Sequence, residues 1–150
     1  MYALKITQTG ILLPDILLLK MKVEYIAFDS FGVKSSCVLV TTADCSICID
    51  PGIAEEVNSF PLPLWKRLAL VIYYKKKIIA ACKKADIITI SHYHYDHVIP
   101  EPNLYRNKIL LVKDPKKNIN KSQKGRAAEL LPQIKANIKK YCCNWCWWKL

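Results

Sequence analysis

The segment that constrains this chain most strongly is ISHYHYDH, in which three histidines and an aspartate follow a short apolar run. His92, His94 and His97 are the only histidines in 150 residues, and Asp96 immediately precedes the last of them. Residues 86–90, directly before the loop, are mostly apolar and β-branched, a pattern typical of a buried strand between helices. Packing alone does not explain so many metal-ligating side chains in one place. The sequence therefore predicts a buried strand that leads straight into a ligand-bearing loop.

Three further strands are predicted before this loop. Residues 23–28 and 36–41 are rich in β-branched and aromatic side chains, and the glycine-containing turn between them predicts a hairpin. Residues 46–49 form a short third strand, which ends at the turn sequence DPG of residues 50–52. The chain is therefore expected to begin as a β-meander.

Apolar residues at helical spacing appear on both sides of the loop. A long amphipathic helix is predicted after the β-meander and is expected to end near Lys84. After another buried strand at residues 108–112, Asn120 is a suitable N-cap for a second helix. Pro132 is expected to stop or kink that helix. The order of strands and helices predicts the α/β class.

The length of 150 residues predicts one domain with a single core. Residues 1–20 match nothing around them, so we interpret them as a non-core extension and Met21 as a candidate natural start. Residues 21–140 carry the predicted elements. Residues 141–150 form an atypical tail with three of the four tryptophans and three of the seven cysteines. A read-through end, a hydrophobic tail or a metal-binding tail would each account for it.

The cysteine pattern predicts a reducing compartment, because seven cysteines form an odd set without regular spacing. A Pro-Asp pair interrupts the N-terminal apolar run, which argues against a signal peptide and a membrane span. We therefore expect a cytoplasmic protein without membrane contact. The C-x-x-C spacings at residues 45–48 and 143–146 imitate zinc knuckles but lie roughly 95 residues apart, too far for one zinc ribbon. Whether Cys142, Cys143 and Cys146 replace missing metal ligands stays open.

Alternation within the loop suggests how its side chains bind metal. In an extended segment residues two apart point the same way, so His92 and His94 are expected to share one ion. Asp96 and His97 leave on another side and suit a second ion. Imidazole and carboxylate ligands favour Zn²⁺, with Fe or Mn²⁺ as alternatives. Such ions lower the pKa of bound water, so the loop predicts metal-dependent hydrolysis with Asp96 as the catalytic candidate.

The motif His92-x-His94-x-Asp96-His97 after an apolar strand resembles the signature of the metallo-β-lactamase superfamily. The sequence CIDPG at residues 48–52 resembles the turn that precedes the motif in that superfamily. The fuller context, ADIITISHYHYDH followed by NINKSQKGRA, resembles an uncharacterised archaeal group of predicted metallo-hydrolases within it.

This resemblance implies an αββα sandwich with two metal ions at one edge of its two sheets. By the same resemblance His92 and His94 would bind the first ion, and Asp96 and His97 the second. Asp50 would support the loop without being a ligand.

The resemblance also implies an incomplete site. The superfamily adds two later histidines and a bridging aspartate, whereas this chain has no histidine after His97. Among the later carboxylates, Asp114 follows a predicted strand and is the candidate extra ligand. The chain therefore resembles the N-terminal half of a metal-dependent hydrolase, acting on an unspecified small molecule or phosphodiester. We expect it to bind at most one ion, weakly, instead of the two ions of the intact site.

Two other interpretations remain open at this stage. From Glu101 onward the chain has 12 basic and 3 acidic residues, while the first 100 residues are nearly balanced with 11 and 9. This basic C-terminal third predicts either a solvated helix surface or a non-catalytic nucleic-acid-binding protein, whose binding would depend on salt. A truncated gene product is the other interpretation. It would need an oligomer or a complementing chain to cover its sheet.

Overall fold

The computed structural model describes residues 21–136 and 138–142. The predicted N-terminal extension and residues 143–150 of the tail lie outside the described residues. Within them the chain forms one six-stranded mixed sheet with strands in sequence order, together with two α-helices. The predicted α/β class is confirmed, and the arrangement is consistent with part of a metallo-β-lactamase-like sandwich.

The first three strands form the predicted antiparallel meander. They are β1 (Lys22–Phe28), β2 (Ser36–Thr41) and β3 (Ser46–Ile49). Gly32, in the connection between β1 and β2, has a φ of +83°, a conformation that glycine adopts without a Cβ penalty. The hairpin prediction is therefore confirmed, and β3 has the bounds that its sequence pattern indicated.

The direction of the sheet changes after β3. Helix α1 (Leu64–Lys84) crosses over to β4 (Ile87–Ile90), which pairs parallel with β3. The strand β5 (Ile109–Val112) then pairs parallel with β4. Because parallel strands end at the same edge of a sheet, the residues that follow β3 and β4 lie side by side.

Helix α2 (Lys121–Lys135) begins as predicted, with the Asn120 side chain accepting a hydrogen bond from the Gln123 backbone N–H at 2.9 Å. Of the two effects expected of Pro132, a stop or a kink, the stop is wrong, because the helix continues for three more residues. Leu131 and Ile134, on either side of the proline, are 5% and 0% exposed. Their burial holds the last turn against the core and outweighs the hydrogen bond that proline cannot donate.

The strand β6 (Lys140–Cys142) was not predicted. It pairs parallel with β5 and takes in the first two residues of the tail. Its three residues are too few to show an alternating pattern, and two of them are exposed. This segment is a strand because it pairs with β5, and its side chains show no alternating pattern that would have predicted it.

The core lies on one face of the sheet. Alternate residues of the central strands, Cys48, Ile88, Ile90, Leu110 and Val112, are buried together with residues from both helices. The intervening residues are mostly apolar but only half-buried: Ile47, Ile49, Ile87, Thr89, Ile109 and Leu111. No second sheet is present in the described residues. No helix in that part of the chain is both long and apolar enough to cross a membrane.

Candidate metal centre

The candidate centre lies where β3 and β4 end at the same sheet edge. The DPG turn follows β3, and the histidine loop follows β4. Two backbone hydrogen bonds join these segments: Ile53 N–H donates to the Tyr95 carbonyl at 2.7 Å, and Ile99 N–H donates to the Pro51 carbonyl at 3.0 Å. The parallel pairing of the strands therefore brings the two sequence motifs into direct contact.

Gly52 allows this contact to be unusually close. A Cβ added at Gly52 would lie 2.1 Å from the His97 nitrogen and 2.2 Å from the Val98 nitrogen, both backbone atoms. The carbonyl oxygen of Gly52 also accepts a hydrogen bond from the Ser35 hydroxyl at 2.7 Å. The sequence indicated only a turn at this position. The structure shows in addition that there is no room for a side chain.

The loop itself is not extended past His94, which changes the grouping of its side chains. The backbone N–H groups of His97 and Val98 both donate to the His94 carbonyl, at 2.9 and 3.0 Å. This turn brings the His97 ring back to 3.8 Å from the His92 ring, centroid to centroid. Asp96 and His97 therefore lie near His92 instead of leaving on another side.

Three side chains form a group that can hold one metal ion. Ligand atoms of His92, Asp96 and His97 all lie within 4.8 Å of one another. The His97 Nε2 and Asp96 Oδ2 atoms are 3.4 Å apart, close to the roughly 3.3 Å between two ligands of a tetrahedral zinc ion. The donor set of two imidazoles and one carboxylate thus fits a transition metal in number, type and spacing. His94 is outside this group, although its ring lies 4.8 Å from that of His92.

Asp50 lies behind the loop and is only 6% exposed. Its Oδ1 accepts a hydrogen bond from the Ser91 backbone N–H at 2.7 Å, and its Oδ2 is 2.9 Å from His97 Nδ1. Bonding at Nδ1 leaves Nε2 of His97 free to be a metal ligand. Asp50 also has a φ of +46°, in the left-handed region that Asp tolerates better than most residues. Asp50 thus contacts both the beginning of the histidine loop and its last histidine.

Ser91 is a site residue that the sequence reasoning missed. Its hydroxyl donates to Asp50 Oδ2 at 2.6 Å and lies 3.0 Å from His92 Nδ1. Because the single hydroxyl proton goes to the carboxylate, Ser91 can only accept from His92 Nδ1–H. His92 Nε2 is then left unprotonated for a metal. The only sequence signal for this role is the position of Ser91, between the strand and the first histidine.

The two histidines that share the group have opposite pKa shifts. Burial lowers the pKa of His97, but the hydrogen bond and negative charge of Asp50 outweigh it, so the net shift is upward. Burial lowers the pKa of His92, and the neighbouring His97 and His94 lower it further. Protonation of the metal-free group is therefore expected to begin at His97.

In the metal-free chain we expect the His97 imidazole to titrate above the ordinary histidine pKa and the His92 imidazole below it. His97 then stabilises the fold below its unfolded-state pKa, and this contribution is lost as pH rises through its raised folded-state pKa. His92 has the opposite effect and destabilises the fold as pH falls through the unfolded value. NMR titration of the histidine side chains measures both pKa values. A His92 pKa at or above that of His97 would contradict the assignment.

The remaining candidate ligands are not part of the group. The Asp114 carboxylate accepts hydrogen bonds from the backbone N–H groups of Lys116 and Lys117, at 2.8 and 3.2 Å, within its own turn. Among the described residues, His92, Asp96 and His97 are the only group that could hold a metal. Cys142 is exposed on β6, whereas Cys143 and Cys146 lie outside the described residues.

Cys48 lies in the core rather than at the centre. Its sulfur is 3.8 Å from that of Cys37 and 3.7 Å from that of Cys82, and all three residues are fully buried. Hydrogen bonds from these two thiols lower the pKa of Cys48. Residues 45–48 therefore do not present both cysteines at the surface as a zinc knuckle would.

Comparison with known proteins agrees with the motif. Residues 32–134 match the family model described as "Beta-lactamase superfamily domain". The chain is 40% identical over 127 residues to a UPF0282 protein of Korarchaeum cryptofilum, and the match covers 79% of this chain and 42% of the relative. A UPF0282 protein of Pyrococcus furiosus is 42% identical over 134 residues, covering 80% and 43% respectively.

The chain therefore spans about two fifths of the length of these curated relatives. No solved structure is similar enough to the chain to count as a match. The family model covers more than half of the chain, including both motifs at the sheet edge. This protein thus belongs to the metallo-β-lactamase superfamily, as the histidine motif predicted, and is homologous to the archaeal UPF0282 proteins.

Proposed function

We propose that this chain carries the first metal-binding part of a metal-dependent hydrolase centre. The observation that supports the proposal is the group of His92, Asp96 and His97, whose ligand atoms lie within 4.8 Å of one another. A transition metal ion bound there would supply Lewis acidity and a lowered water pKa, which is the chemistry of hydrolysis. Esters, thioesters, amides and phosphodiesters are the substrate classes that this chemistry serves.

The protein's own residues have three tasks in this proposal. Asp50 orients His97 directly and orients His92 through the Ser91 hydroxyl, so both rings keep an Nε2 lone pair for the ion. The side chain of Asp96 is 33% exposed, so a carboxylate oxygen remains accessible to water at the open side. Asp96 is accordingly our candidate for the group that orients the attacking water.

Three protein ligands are the usual number in an open catalytic zinc site, so we propose Zn²⁺, with Fe or Mn²⁺ as alternatives because two imidazoles and one carboxylate suit these ions as well. The structure offers one such group, where the sequence suggested two positions with two ligands each. We therefore propose that one chain binds at most one ion. Because one position on the ion would be filled by water instead of protein, we expect this binding to be weaker than in a closed site with four protein ligands.

Calorimetric titration of Zn²⁺ into the purified chain tests this proposal. We expect one ion per chain, with an affinity that falls as pH drops through the histidine range because protonated imidazole cannot bind metal. His97→Ala should weaken binding at least about 100-fold, since it removes one of three ligands. His94→Ala is the matched control in the same loop and should weaken binding much less. Equal losses in the two variants would overturn the assignment, as would two tightly bound ions on a monomer.

We also propose that a complementing chain completes the centre. The sheet face opposite the core carries half-buried apolar residues, including Ile47, Ile87, Ile109 and Leu111. About three fifths of each relative has no counterpart in this chain, so the proposed occupant of the face is a segment equivalent to that unmatched part. It would cover the apolar residues and supply ligands for a second ion. Adding such a segment in the titration should raise the stoichiometry from one ion to two.

A further inference from the structure

A cavity of about 240 Å³ opens beside the histidine loop. Tyr95 and Val98 line it from the loop, and Arg126 and Glu129 line it from helix α2. Tyr95 and Val98 directly flank Asp96 and His97 in the chain, so the loop that carries the proposed metal group also forms one wall of the cavity. Nothing in the metal chemistry above uses these four residues.

Arg126 is held in place by two contacts. Its guanidinium carbon lies 4.4 Å from the centre of the Tyr95 ring, and its Nη1 donates to the Tyr93 carbonyl at 3.5 Å. None of the ion pairs among the described residues involves Arg126, although Glu129 lines the same cavity. At the cavity wall, this half-buried guanidinium thus keeps several N–H donors that have no acceptor among the described residues.

We propose that this cavity binds a singly charged oxyanion, a carboxylate or a phosphodiester, through Arg126. The planar guanidinium presents parallel N–H donors that match such groups in a bidentate manner. Glu129 disfavours a doubly charged anion, because its carboxylate lines the same cavity and repels the second negative charge. Tyr95 is 45% exposed, so the exposed part of its ring can contact the rest of the ligand.

The use of this pocket for substrate recognition rests on the proposed hydrolytic function, since it would hold the ligand beside the metal group. Anion binding itself needs no metal. The competing explanation is structural, in which Arg126 only covers the Tyr95 ring by a cation–π contact. That explanation predicts a loss of stability in Arg126 variants and no specific affinity for anions.

The test uses the chelator-treated chain and two probes, acetate and dimethyl phosphate, monitored by NMR at the arginine Nε–Hε signals and, in every variant, at the backbone amide signals of Tyr95 and Glu129. We expect at least one probe to change the chemical shift of the Arg126 signal until the change saturates. The probe that does so identifies the class of oxyanion. Arg126→Ala should weaken binding at least about tenfold, because it removes charge-assisted bidentate hydrogen bonds. Arg126→Lys should restore only part of the affinity, and Glu129→Gln should increase it.

Lys124→Ala is the matched control, because Lys124 is exposed on the same helix, carries the same charge and does not line the cavity. It should change the affinity less than about twofold, as expected for a distant, screened charge. Equal losses in the Lys124 and Arg126 variants, or no saturable shift in a chain shown to be folded by circular dichroism, would overturn the proposal. Because no metal is present, failure of this experiment is distinct from failure of the zinc titration.

Discussion

Gly52→Ala is expected to abolish detectable zinc binding and to destabilise the fold by about 3 kcal/mol or more, at the upper end for overpacking. The added Cβ would stand 2.1 Å from the His97 nitrogen and 2.3 Å from the Asp96 carbonyl carbon. These are backbone atoms of two of the three proposed ligands, so no side-chain rotation relieves the clash. The DPG turn and the histidine loop must separate, which breaks the contact that positions Asp50. Urea unfolding and zinc calorimetry measure both effects.

Gly125→Ala is the matched control for this substitution. Gly125 lies on α2, and a Cβ added there meets nothing within 4 Å. Alanine should raise helix stability by roughly 0.5–1 kcal/mol and leave zinc affinity unchanged. A Gly52→Ala chain with near-native stability and zinc affinity would show that the close approach of the two loops is not required.

Asp50→Ala is expected to cost at least about 3 kcal/mol of folding stability, because it leaves the Ser91 N–H, the Ser91 hydroxyl and His97 Nδ1 without their shared acceptor. Alanine is also disfavoured at the φ of +46°. Zinc affinity should fall by at least about 10- to 100-fold, the range seen when a group that orients a metal ligand is lost. Equilibrium unfolding and calorimetry at neutral pH provide the two measurements.

Asp50→Asn separates the effect of losing the negative charge from the effects of losing the acceptor and of the left-handed backbone. Asparagine tolerates the left-handed backbone and keeps one acceptor oxygen, but it removes the negative charge. We expect a smaller stability loss than for alanine, together with a drop of the His97 pKa toward or below its ordinary value. If the His97 pKa stayed raised in Asp50→Asn, then another group would have to hold its proton.

Local patterns predicted most of the individual elements of this protein. The bounds of β3 and the end of α1 at Lys84 follow from β-branched runs and helical periodicity, which depend on neighbours in the sequence. The N-cap at Asn120 follows from side-chain chemistry in the same way. Errors arose where tertiary packing decided the result. Burial of Leu131 and Ile134 carries α2 past Pro132, and pairing with β5 makes a strand of residues 140–142.

The candidate site shows the same division. The sequence identified the histidine loop, because an unusual concentration of ligand types needs no structure to be seen. It separated His92 from Asp96 and His97, because the turn made by the hydrogen bonds to the His94 carbonyl cannot be recognised from the spacing of the histidines. Ser91 escaped notice because a serine before a histidine has no distinctive pattern. Its role appears only when β3 and β4 are placed side by side.

The hydrogen bonds of Asp50 have a further consequence for the order of folding. Asp50 is separated by 41 residues from Ser91 and by 47 from His97, with all of α1 in between. The entropy of closing so long a loop must be overcome before any of these contacts forms, whereas the antiparallel meander closes through short turns. The meander can therefore form early without creating any metal site. An ion that binds only the folded arrangement would stabilise, by mass action, the contact between the DPG turn and the histidine loop. Metal binding would therefore stabilise the whole sheet at a late step of folding.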